Sequence, residues 1–158
     1  MADATFEDGA EGGLYLKAED SDDLRIIAAL TQDAVLTAGD VTWRPKERRL
    51  AFLINRFRWE DASRAETKQR PYERVRSLLV IDGVLGVASQ GVDKGDKDEV
   101  LSVLSVDWTP GEDAAGTVTL VLAGDGAVRA EVECLDVTLK DVTRPYVATS
   151  GHMPKHPD

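Results

Sequence analysis

Four arginines carry the clearest chemistry in this sequence. Arg56 and Arg58 lie two residues apart, and so do Arg74 and Arg76. Residues two apart in a strand share a face. If the two segments pair as antiparallel neighbours, four guanidiniums crowd one surface. Like charges placed opposite each other repel, so that surface calls for an anion. The guanidinium fork suits bidentate contact with phosphate or carboxylate. Trp43 and Trp59 flank this basic stretch, and Phe57 sits between two of its arginines. Aromatic rings among arginines can stack nucleobases. The expected binding surface is therefore Arg56, Arg58, Arg74, Arg76 and Trp59, for a small anion or an acidic protein. The competing expectation is that Glu60, Glu73, Glu131 and Glu133 neutralise the arginines as surface ion pairs of little energetic weight. In that case the tryptophans belong to the core.

Other chemistries find less support. Asp93, Asp96, Asp98 and Glu99 cluster in one polar loop, but their spacing does not match the alternating ligands, central Gly and final Glu of a calcium loop. Both histidines, His152 and His156, fall in the C-terminal tail, which leaves the expected folded body without a histidine base or zinc ligand. Glu131 and Glu133 share a strand face and could form a carboxylate pair, although such spacing usually marks a solvent face. Cys134 falls on the apolar face of the same strand and reads as a small buried hydrophobe. Gly83, Gly86 and Gly91 lie in strand segments rather than before a helix, so they form no phosphate loop. No catalytic residue, cofactor or metal is expected, and the balance lies against an enzyme.

The chain has 158 residues and a net charge of −10. That charge is unevenly spread: residues 1–43 carry −8, residues 44–76 carry +6 and residues 77–158 carry −8. An acidic protein thus contains one basic block. Its overall sign disfavours nonspecific binding to nucleic acid or anionic membrane. No apolar run approaches the ~20 residues of a membrane helix. The acidic, Gly-rich N-terminus does not read as a signal peptide. A single cysteine suits a reducing compartment, and the expected location is cytoplasmic.

The elements that must position these residues follow from period and punctuation. Residues 1–12 read as a disordered acidic tail, 13–142 as one globular domain and 143–158 as a polar, Pro-containing tail. A short strand over 14–17 precedes a helix capped by Asp20 or Ser21, with Asp22 and Asp23 favourably placed in its first turn. Leu24, Ile27 and Leu30, widened by Ile26 and Ala28, form its apolar stripe. The period then changes to two. Hairpins are expected for 41–43 with 50–59, for 72–81 with 84–89 about Asp82-Gly83, and for 117–122 with 127–135 about Gly124-Asp125-Gly126. Strands over 99–108 and 136–140 complete the set. The expected fold is α+β and mainly antiparallel: one N-terminal helix packed on a strongly curved sheet, or partly closed barrel, of about seven to eight hairpin-connected strands.

Two segments carry a resemblance. Residues 39–60, GDVTWRPKERRLAFLINRFRWE, and residues 124–145, GDGAVRAEVECLDVTLKDVTRP, resemble an alphaproteobacterial family catalogued as domain of unknown function 2948. The resemblance spans roughly residues 14–145 and is most specific at Asn55 to Trp59 and at Val132 to Cys134. It implies a cytoplasmic bacterial protein and brings no catalytic residues. The first expectation for function is a non-catalytic binding module that docks an acidic partner or small anion on its basic strand face. The alternative is a small-ligand protein or enzyme with a pocket within the curved sheet, lined by Asn55 or an arginine. The third is RNA binding through the same strip. A homodimer through an exposed sheet edge is a further expectation.

Overall fold

The computed structural model describes residues 13–93 and 95–147. The expected acidic tail, 1–12, lies outside them, as does most of the expected C-terminal tail. The chain opens with β1 (Tyr15–Ala18) and helix α1 (Ser21–Thr31). Then come β2 (Val35–Thr37), β3 (Val41–Arg44), β4 (Arg49–Phe57), the short helix α2 (Ala62–Thr67) and β5 (Glu73–Asp82). β6 (Val84–Gln90), β7 (Val100–Pro110), β8 (Gly116–Leu122), β9 (Gly126–Val132), β10 (Val137–Asp141) and β11 (Tyr146–Val147) follow. The eleven strands form one connected antiparallel sheet in the order β1-β10-β5-β4-β2-β7-β8-β9-β6, with β3 on β4 and β11 on β5. The sheet does not close.

Local chemistry explains the helix. The Asp20 carboxylate accepts a hydrogen bond from the Asp23 amide at 2.8 Å, and Asp22 and Asp23 occupy the first turn. Such a cap stabilises a helix by about 1 kcal/mol. Leu24, Ile27 and Thr31 are buried while Ile26 is 54% exposed, so the stripe is narrower than the sequence implies. The Thr31 hydroxyl donates to the Ile27 carbonyl, and the helix stops there. α1 packs on β1, β4, β7 and β10.

The strand alternation sets the core. Leu50, Phe52 and Ile54 of β4 point inward with Val75, Leu79 and Ile81 of β5 and Val128, Ala130 and Val132 of β9. The β3–β4 and β8–β9 pairings follow the expected hairpins, and β7 pairs with β8. The hairpin expected about Asp82-Gly83 does not form. β5 pairs with β4 and β10, whereas β6 pairs with β9. Gly83 has φ +71°, and the chain uses that freedom to leave one part of the sheet for another. The bend is held by backbone donors: Asp82 to the Asp136 carbonyl, Val84 to Arg48 and Glu133 to Gly83. A positive φ serves such a bend as well as it serves a type I′ turn.

Three further expectations are corrected. β9 ends at Val132, because the Glu133 amide turns to Gly83, so Cys134 lies past the ladder and is exposed. Tyr146 and Val147, expected in a loose tail, pair with Arg74 and Glu73 of β5. The three-residue β2, too short to show a period, bridges β4 to β7. β7 itself pairs with β2 through its first residues and with β8 through the rest, with a register shift between Val103 and Ser105. Such a bulge bends a strand.

Gly83→Ala should therefore destabilise the fold by about 1–2 kcal/mol, the cost of a left-handed backbone at a residue bearing a Cβ. Gly86→Ala, whose added Cβ would meet nothing within 4 Å, should change urea stability far less. Equal effects would place the constraint elsewhere.

Candidate functional site

The register divides the four arginines between two faces. Arg56 pairs with Val75 across the β4–β5 ladder, while Arg74 pairs with Phe57 and Arg76 with Asn55. Directly paired residues share a face. Arg56 thus points inward with Val75, and Arg74 and Arg76 point outward. The expectation of one shared four-arginine surface is corrected by this register.

Arg56 has no exposed surface at all. Its Nη1 and Nη2 donate to the two Glu60 oxygens at 2.9 and 2.8 Å. Nη2 also donates to Asp141 Oδ1 at 3.0 Å, and Nε donates to Ser77 Oγ at 3.0 Å. Ser77 Oγ in turn donates to Asp141 Oδ1 at 2.6 Å. Arg58, 7% exposed, follows the end of β4 and donates to Glu73 Oε1 at 2.5 Å, with Asp61 at 3.7 Å. Arg70 grips both Asp61 oxygens at 2.6 Å. Glu60 and Glu73 therefore do pair with arginines, but on buried guanidiniums rather than as the surface ion pairs of the competing expectation. Glu131 and Glu133 do not reach them: Glu131 accepts from the Thr117 hydroxyl and Glu133 pairs with Arg48.

The outward arginines differ. Arg74 is half-buried, and it donates to Asn55 Oδ1 at 2.6 Å and to the Asn55 carbonyl at 2.9 Å. Burial pushes its pKa down, with Tyr146 and Asp33 opposing that shift. Arg76 is exposed and forms no ion pair among the described residues. Trp59 donates its indole N–H to the Gln32 carbonyl at 3.0 Å and meets Phe57 edge-on with ring centroids 4.7 Å apart. Those contacts give Trp59 a packing role at the end of β4.

A concave site exists elsewhere. Among the described residues β3 pairs only with β4, and β6 only with β9. The turn between β3 and β4 meets the start of β6 where the Val84 amide donates to the Arg48 carbonyl at 2.9 Å. A cavity of about 420 Å³ opens along the seam, walled by Val41, Trp43 and Leu50 on one side and by Val87, Ser89 and Val128 on the other. Ala38, Gly39, Val92 and Lys97 complete it. Trp43, Val41 and Val87 pack partly on the core, so the cavity is an unfilled margin of that core. Neither Asn55 nor an arginine lines it. The acids beside Lys97 serve their own loop: Asp93 accepts from the Gly95 amide, Asp96 from Asp98, and Glu99 from Asp93. Among the described residues no group of three or more His, Cys, Asp or Glu could hold a metal ion. No described helix is long and apolar enough to cross a membrane.

Residues 14–156 match the profile of a family described as "Protein of unknown function (DUF2948)". The chain belongs to that family. No curated protein and no solved structure matches it. In this DUF2948 chain the two segments that carry the resemblance, 39–60 and 124–145, meet in space: the first supplies Arg56 and Glu60, the second Asp141. Sequence reasoning singled out Arg56 but missed Asp141 and Ser77, because nothing local links residues 85 and 21 positions away. It also missed Val87, Ser89 and Lys97, whose only signal is that the first two share a strand face.

Burial of Glu60 opposes its ionisation, and the hydrogen bonds and charge of Arg56 overcome that, so its carboxyl sits below the usual range. Asp61 is lowered first by its hydrogen bonds from Arg70, against the cost of burial. Both folded-state values lie below the unfolded ones. Their contribution is therefore present above the ordinary carboxylate range and is lost as pH falls through the lowered values. Arg56→Met should cost about 3–5 kcal/mol, since it leaves buried carboxylates without their cation. It should also flatten the acid limb of a stability–pH profile measured by urea unfolding. An unchanged acid limb would mean that the Arg56 network does not govern acid stability.

Proposed function

We propose that this chain is a non-catalytic binding protein for a small apolar molecule, held in the seam between β3 and β6. The observation that carries the reading is the cavity of about 420 Å³ walled by Trp43, Val41, Leu50, Val87 and Val128. Its volume falls within the roughly 300–1,000 Å³ of small-molecule sites, and its mostly apolar wall with few polar groups is typical of them. The described body holds no histidine, and its most strongly coupled ionisable groups, around Arg56, are committed to the fold, which favours binding over catalysis. The exposed, unpaired Cys134 suits a cytoplasmic location. N-phenyl-1-naphthylamine, a neutral apolar fluorophore, should bind with one saturable site. Val87→Trp places an indole in the cavity and should strongly weaken that signal while leaving the melting temperature within a few degrees. Undiminished fluorophore binding by Val87→Trp would remove the seam as the site.

A second reading keeps the basic face. Arg76 and Lys140 are exposed, form no ion pair among the described residues, and stand on adjacent strands of the outward surface. Arg74 adds a third cation there. This surface would dock an acidic partner, with Arg56, Arg58 and Trp59 supporting the strand ends from within. Under this reading Arg76→Glu combined with Lys140→Glu abolishes capture of a poly-glutamate peptide at low salt. Capture equal to that of the unaltered chain would eliminate it.

A further inference from the structure

We infer that the seam pocket selects a monoanionic amphiphile, an apolar body ending in one carboxylate or similar acidic head, with Lys97 as its counter-charge. The inference rests on the proposed ligand-binding reading of the same pocket and adds the chemical class of the ligand.

Among the described residues of the lining, Lys97 is the one with a charged side chain, and none is an acid. It forms no ion pair among the described residues, although Asp96 and Asp98 flank it in sequence. One oxygen of the Asp96 carboxylate accepts from the Asp98 amide at 3.1 Å. The Lys97 backbone is fixed in place: its carbonyl accepts from the Gly39 amide at 2.8 Å. A Cβ on Gly39 would lie 3.1 Å from that carbonyl, so the two loops are in close contact at the rim. The remaining side-chain polar atoms in the lining point to the same class. The Ser89 hydroxyl and the Trp43 indole N–H have no hydrogen-bond partner among the described residues, and both can donate. Among the described lining side chains the Lys97 ammonium and the Trp43 indole N–H can only donate, the Ser89 hydroxyl can donate or accept, and none is acceptor-only, so the polar groups are weighted toward donors against otherwise apolar walls. A ligand that buries carbon along those walls must bring an acceptor to the rim, and a negative one gains most there. The cavity beside α1, about 320 Å³, holds Arg25 and Asp107 together and selects no sign of charge.

The test is displacement of N-phenyl-1-naphthylamine from the full chain by decanoate, 1-decanol and decyltrimethylammonium. Decanoate should displace at about fivefold lower concentration than the alcohol, the scale of one partly exposed ion pair. The cation should be the weakest of the three. Lys97→Gln should bring decanoate to the level of the alcohol and leave the alcohol unchanged. Equal displacement by all three, or a decanoate preference that survives Lys97→Gln, overturns the anionic class while the pocket stands. Failure of all three to displace a fluorophore that Val87→Trp still binds overturns the pocket reading itself, and the ligand class with it.

Discussion

A guanidinium cannot lose its water without replacement partners, and Arg56 has lost all of it. It lies on the inward face of β4, in line with Leu50, Phe52 and Ile54. An unpaired charge there would be prohibitive. The fold meets the requirement by bringing Glu60 from the turn after β4, Ser77 from β5 and Asp141 from the end of β10. Asp141 is tied further: its other oxygen accepts from the Leu14 amide, just ahead of β1. One cation therefore fastens four segments that are distant in sequence. Removing a partner from such a cluster costs more than the cluster is worth as a whole. A shift of β4 by one residue would move Arg56 to the outer face and strip every one of these bonds.

That fastening sits at one end of β4. The other end is paired on both edges, by β3 and by β5. β3 holds β4 on one edge only, and β6 comes from a different part of the sheet through the bend at Gly83. The turn after β3 and the start of β6 are joined at Arg48 and Val84, and the cavity lies between the two strands. Apolar side chains from both edges face the gap but do not fill it. The cavity thus follows from topology: a sheet that stops short of closure leaves a margin of its core uncovered. The same feature that leaves β3 and β6 with free edges supplies the site.

The electrostatic pattern has the same origin. The basic block of residues 44–76 is dispersed when the chain folds. Arg56, Arg58 and Arg70 are paired with acids from the same block and from β10, while Arg48 and Arg49 meet Glu133 and Asp82. Outside these pairs Arg74 and Arg76 share the outward face of β5 with Lys140 of β10, while Arg44, Lys46, Arg64 and Lys68 are exposed on other elements. A run of charge along a sequence therefore overstated the charge of any one surface, because antiparallel pairing sends alternate residues to opposite faces.

The sequence by itself determined what depends on neighbours in the chain. The Asp20 cap, the start of α1, the alternation of β4, β5 and β9, and the turns at Pro45 to Arg48 and Gly124 to Gly126 all rest on contacts within a few residues. So did the mainly antiparallel character and the prominence of Arg56 and Trp59. The tertiary structure decided everything that depends on partners. Asp82-Gly83 supplies a positive φ whether the next strand returns or departs, and only the competition between β4, β10 and β9 for edges chose departure. Arg56 reads as a surface cation until Asp141, 85 residues away, makes its burial affordable. Val87, Ser89 and Lys97 become a site only because β6 and its following loop come to lie opposite β3. Local sequence fixes conformational preference, while register and sheet order set which side chains meet, and those are properties of the whole chain.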